Sequence, residues 1–131
     1  MKNIKVNKRL ASAQIDVAKT KLAPTTRPFR IAIEVKLDSG YDIQDMTLVH
    51  VKEFYRFLKD TVYKGLTVQE VDKLYLCKEG LGKAPTVKSH GKELLHYGKD
   101  GNAFRIFGYY NAEGYFVVCR IDGGHKTHNG K

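Results

Sequence analysis

Residues 103–128 read AFRIFGYYNAEGYFVVCRIDGGHKTH, and the fold turns on this stretch. Two runs rich in aromatic and β-branched residues flank Asn111-Ala112-Glu113-Gly114, the pattern of a β-hairpin closed by a glycine-containing turn. Successive strand side chains point to opposite sides, so the register fixes the two faces. With Tyr110 opposite Tyr115, one face carries Phe104, Ile106, Gly108 and Tyr110 beside Tyr115, Val117, Cys119 and Ile121. That is a core face. The other carries Arg105, Phe107 and Tyr109 opposite Arg120, Val118 and Phe116. In that register the two arginines are cross-strand neighbours, and like charges so placed call for an anionic partner. A loop one residue longer or shorter mixes the faces.

Working outward, Gly98-Lys99-Asp100-Gly101 turns the chain into the hairpin, and residues 93–97 form a short strand with Leu94 and Leu95 as its apolar content. Residues 80–92, GLGKAPTVKSHGK, read as a loop made positive by Lys83, Lys88, His90 and Lys92. Further upstream, Leu48, Val51, Tyr55 or Phe54, Leu58 and Val62 recur at helical steps from about residue 45 or 47. Thr67-Val68-Gln69-Glu70 has the form of a capping box. It opens a second helix to about Glu79, with Val68, Val71, Leu74 and Cys77 inward. Ile31, Ile33, Val35 and Leu37 alternate as in a half-buried strand, ended by Asp38-Ser39-Gly40. The expected class is therefore α+β: an antiparallel sheet of about four strands, in the order β-α-α-β-β-β, with a helical hairpin on one face. Residues 1–28 form a basic N-terminal arm before a single domain of residues 29–131. The arm's pattern fits a strand over residues 3–10, a helical stripe of Leu10, Ala13 and Val17, or partial disorder.

No apolar run approaches membrane-spanning length, and the start MKNIKVNKRL lacks the apolar stretch of a signal peptide. The expectation is a cytoplasmic protein without a membrane partner. Cys77 and Cys119 lack metal or redox spacing and read as free thiols. The net charge of +9 is uneven: residues 1–30 carry +7, residues 31–80 carry −2 and residues 81–131 carry +4. Basic ends concentrate polyanions, which makes nucleic acid or a ribonucleoprotein the leading partner class. No phosphate-binding loop, dinucleotide fingerprint, serine-hydrolase elbow or zinc-protease motif occurs, so nucleotide-dependent and serine-hydrolase chemistry are disfavoured.

The element order and the run from Leu94 to Lys126 resemble the RelE/ParE superfamily of small bacterial toxins, including the HigB and YoeB types. The resemblance lies in a leucine-containing strand, Gly98-Lys99-Asp100-Gly101, Phe104-Arg105-Ile106, an apolar strand and a His/Lys-rich end. At the level of topology it covers residues 29–128. It implies an mRNA endonuclease acting on the ribosome or on free RNA, or a gyrase poison, held inactive by an antitoxin protein. It places Arg105 where the family often holds a phosphate-binding arginine, and His125 and Lys126 where a catalytic or positioning residue is often found. The chain departs from the family in its length, in the 28-residue arm, and in ending on His125, Lys126 and His128 rather than a longer lysine-rich strand end.

Metal-free RNA cleavage needs a base for the 2′-hydroxyl, cations for the phosphorane charge and an acid for the leaving oxygen. Arginine suits the middle role because its planar fork binds phosphate bidentately and never titrates. The catalytic candidates are thus Arg105 and Arg120 as charge stabilisers, with His125 or His128 as base or acid. Tyr109 or Tyr110 suits base stacking or proton donation, and Lys83, Lys88, Lys92 and Lys126 suit phosphate contact. No cofactor is expected, and no third ligand completes a metal site at His125-x-x-His128. The competing reading is a non-catalytic module that binds nucleic acid or protein. There the arginines rim the sheet and pair with Glu93, Glu113 or Asp122, while Phe107, Tyr109 and Phe116 form a second core face.

Overall fold

The computed structural model describes residues 26–77 and 87–124. The chain runs through β1 (Ile31–Ala32), a 3-10 turn (Ile43–Asp45), α1 (Leu48–Asp60), α2 (Val68–Tyr75), β2 (Lys88–Ser89), β3 (Lys92–Glu93), β4 (Leu95–Gly98), β5 (Arg105–Tyr110) and β6 (Phe116–Asp122). Strands β1, β6, β5 and β4 form one sheet in that order, and β2 pairs with β3 in a small second sheet. The class is α+β with a four-stranded sheet, as the sequence implies. The sheet is mixed rather than wholly antiparallel, because β1 runs parallel to β6 with Ile31 opposite Phe116. A parallel neighbour needs a long crossover, and both helices lie in the chain between these two strands.

The hairpin is the centre of the sheet, in a different register from the one the sequence suggests. Tyr110 faces Phe116, not Tyr115. Asn111 lengthens the loop by one residue: its side-chain oxygen accepts the N–H groups of Glu113 at 3.0 Å and Tyr115 at 2.9 Å. A slip of one residue reverses a strand. Phe116 and Val118 therefore join Phe104, Ile106 and Tyr110 in the main core, while Cys119 packs with Phe107 and Leu94 in a second cluster. A bulge then corrects the slip. Gly108 pairs with Val118 but Phe107 pairs with Arg120, so Cys119 is the extra residue and Ile121 returns to the main core.

The helices cover the first face. Thr67 closes the expected capping box, its hydroxyl accepting from the Glu70 N–H while the Glu70 carboxylate accepts from the Thr67 N–H. Val68 and Val71 are fully buried. The inward side of α1 is aromatic: Phe57 packs edge-on against Phe29 and Tyr75, with Phe54 beside Phe104. The expected inward stripe was partly wrong, since Leu48, Val51 and Tyr55 are 70, 46 and 53% exposed. Helix α1 has apolar residues on two sides, and the sheet takes the aromatic one. Helix α2 stops at Tyr75 rather than near residue 79. Its last turn gives way to an extended segment in which Leu76 bridges Tyr97 and the Cys77 N–H donates to the His96 carbonyl. Leu74, expected inward, is exposed, and Tyr75 packs on Phe57 instead.

The second face is covered as well. The alternation over residues 31–37 pairs for only two residues, after which the chain continues along the outer edge of β6. There Leu37 turns into the main core while Val35 packs on the Phe107–Cys119 cluster, and the Asp38 N–H donates to the Cys119 carbonyl. The basic loop also holds structure: β2 and β3 turn tightly about His90 and Gly91, both with positive φ (54° and 75°), as a type I′ hairpin turn requires. This hairpin brings Val87 and Leu94 onto the same cluster.

Candidate nucleic-acid interface

Arg105 begins β5 and is buried. Its Nη1 donates to the carbonyls of Asn102, Phe104 (2.8 Å) and Lys99 (3.4 Å), so the guanidinium closes the turn that precedes its own strand. Gly98 makes room for it, since a Cβ there would lie 2.3 Å from the arginine Cδ. In the ladder Arg105 stands opposite Asp122, which corrects the expected pairing with Arg120. Arg120 stands opposite Phe107. Its Nε and Nη2 each lie 2.8 Å from Asp38 Oδ2, and its guanidinium stacks 4.2 Å from the Tyr41 ring centroid. Of the competing partners named from sequence, Asp122 stands opposite Arg105 in the ladder, while the Arg105 guanidinium itself donates to backbone carbonyls. The carboxylate on Arg120 is Asp38, which the sequence offered only as the end of a strand.

The two arginines are thus not brought together as a cationic pair, and the face meant to be concave is filled. A lateral row crosses that face. His96 stacks on Phe107 at 4.6 Å, and the Arg120 guanidinium lies over the same Phe107 ring, 5.9 Å from its centroid. Tyr109 is half-buried with Lys92 Nζ 5.2 Å from its ring, so these two assigned residues do meet. Lys88 is exposed on β2. Lys83, Lys126, His125 and His128 lie outside the described residues. Gly123 has a packing duty: a Cβ on it would lie 2.2 Å from the His50 ring.

Beside Arg120, the Ser89 hydroxyl donates to Asp38 Oδ1 at 2.7 Å and also lies 2.8 Å from His90 Nδ1. With the hydroxyl proton committed to the carboxylate, the imidazole N–H is the donor in the second contact, and the serine is not activated as a nucleophile. Burial pushes the Cys119 thiol up to about 11, which keeps it protonated at neutral pH. Burial likewise raises the Tyr109 phenol above its ordinary value. Among the described residues no group of three or more His, Cys, Asp or Glu side chains comes together as a metal site, and no helix is long and apolar enough to cross a membrane.

Charge is divided between the body and the rest of the chain. The described residues hold thirteen Lys and Arg against twelve Asp and Glu. Eight of the nine net positive charges therefore belong to residues 1–25, 78–86 and 125–131. Sequence reasoning missed Tyr41, Asp38, Ser89 and His96 as members of the polar and stacked rows. The His90-Gly91 dipeptide between polar residues was the one usable signal, because it marks a tight turn that carries Ser89 back toward the sheet. No known protein family, curated protein or solved structure matches the chain.

Proposed function

We propose that this chain is a non-catalytic nucleic-acid-binding protein: a nearly neutral folded body that carries strongly basic segments, which contact phosphate. The observation that carries this reading is the division of charge, with +8 of the net +9 outside the described body. Polyanion affinity comes mainly from lysines and arginines that displace counterions from phosphates. The body contributes Lys88, Lys92 and the half-buried Tyr109 at one edge, where a base has a ring to stack on. The non-catalytic part of the reading is supported by Arg105 and Arg120, each occupied by groups of the fold itself. An RNA endonuclease of the RelE type would need a charge stabiliser other than Arg105 and Arg120, with His125 or His128 as base or acid.

Binding of a labelled single-stranded RNA and of duplex DNA, followed by anisotropy across a salt series, tests the proposal. Affinity is expected to fall with a log–log slope of about −0.7 per phosphate contact on single strands. Replacing Lys2, Lys5, Lys8, Arg9, Lys19 and Lys21 by glutamine should weaken it by about tenfold or more at low salt and flatten the slope. No binding at low salt, or binding indifferent to those six replacements, overturns the reading. RNA cleavage abolished by His125→Ala replaces it with the nuclease.

A further inference from the structure

Among the described residues, the outer side of α1 packs on no other helix or strand and takes no part in the phosphate contacts above. At about 100° per residue, Leu48, Tyr55 and Lys59 lie almost in line along the helix, with Val51 to one side and Lys52 to the other. Tyr63, just past the helix, extends the line: its ring meets that of Tyr55 edge-on at 6.2 Å. Leu48, Val51, Tyr55 and Tyr63 are 70, 46, 53 and 63% exposed. Scattered single apolar residues on a surface need no explanation, but a continuous ridge along one helix does. Half-exposed tyrosines on a rigid element are the usual anchors of a protein contact, since they give large area at low entropic cost.

The geometry points to α1 as the docking surface for an amphipathic helix of a partner protein whose apolar face is edged with Asp and Glu. The charge beside the ridge selects this occupant. Lys52 beside the ridge and Lys59 at its C-terminal end are both exposed, whereas the carboxylates on the same helix are turned away or engaged. Glu53 accepts from Arg56 at 3.2 Å and from Asn102 at 2.8 Å, and Asp60 is half-buried near Tyr75. A second copy of this chain, laid antiparallel on the same ridge, would set lysine edge against lysine edge. Like charges so placed oppose pairing. An acidic helix instead buries its apolar face on the ridge and gives each lysine a partner.

The test uses the full chain and two synthetic peptides of about 18 residues with the same leucine face, one edged with glutamates and one with lysines. Binding is read by anisotropy at moderate salt. The acidic peptide is expected to bind at least tenfold more tightly than the basic one. Val51→Glu with Tyr55→Ser should reduce that binding at least tenfold while leaving circular dichroism and RNA affinity unchanged. Lys52→Glu with Lys59→Glu should reverse the preference toward the basic peptide. Equal binding of both peptides, no binding of either, or a preference unaltered by the double charge reversal overturns the proposal. So does binding to phosphatidylglycerol vesicles, or concentration-dependent dimerisation, that is lost in the Val51/Tyr55 variant.

Discussion

Tyr97 has no exposed surface, yet its hydroxyl joins three elements. It donates to Asp72 Oδ1 on α2 at 2.6 Å, which leaves its oxygen to accept from the Tyr110 hydroxyl, also at 2.6 Å. Tyr97→Phe keeps the ring and strips both bonds, so a loss of about 1–3 kcal/mol is expected in urea unfolding. Burial raises both phenols well above their ordinary value of 10.0, and raises Cys119 from 9.0 to about 11. Below those ordinary values the groups are protonated in folded and unfolded chains alike and add no pH dependence. Above them the unfolded chain gives up protons that the folded chain keeps, so stability falls as pH rises. Unfolding midpoints should therefore be flat from pH 7 to 8.5 as far as these groups are concerned, and decline from about pH 9 upward. Tyr97→Phe should make the decline shallower above pH 10. Arg105 gives a separate test at this scale. Its charge-assisted bonds to turn carbonyls mean that Arg105→Met should cost about 1.5–3 kcal/mol in stability while leaving RNA affinity of the folded variant unchanged.

The two sides of α1 differ in what they are worth. Phe57 sits among Phe29, Tyr75 and Tyr97, so Phe57→Ala should destabilise by about 3–5 kcal/mol. Leu48→Ser and Val51→Ser, on the open side, should stay within about 0.5 kcal/mol of the parent in the same measurement. Sequence periodicity locates the helix but cannot rank these sides, because both repeat at three- and four-residue steps; only the arrival of Phe29 and the sheet decides. The hairpin has the same history. Its existence is legible from two aromatic and β-branched runs about a glycine turn, whereas its register depends on Asn111 folding its side chain back on two N–H groups. The bulge at Cys119 has no local signature, since no glycine or turn residue marks it between Val118 and Arg120. Arg105 and Arg120 were legible as strand residues, but their partners were not, since Asp38 is 82 residues from Arg120 in the chain.

Within the chain as a whole, the described residues carry almost none of the net charge. The body is nearly balanced. Its exposed pairs, such as Lys36–Asp42 and Arg56–Glu53 at 3.3 and 3.2 Å, are of the kind that adds little to stability. The less exposed Arg120–Asp38 pair is poorly reached by mobile ions. Changing the salt from 50 to 500 mM NaCl should consequently move the chain's unfolding free energy by less than about 1 kcal/mol. On the proposed function, nucleic-acid affinity over the same range should collapse by orders of magnitude, because Lys and Arg contacts to phosphate act through counterion release. A chain with +9 spread over its folded surface would behave differently: screening would relieve self-repulsion, and stability would climb with salt. Parallel salt series of denaturant unfolding and RNA binding on one preparation therefore distinguish a chain whose net charge lies outside residues 26–77 and 87–124 from a uniformly basic one.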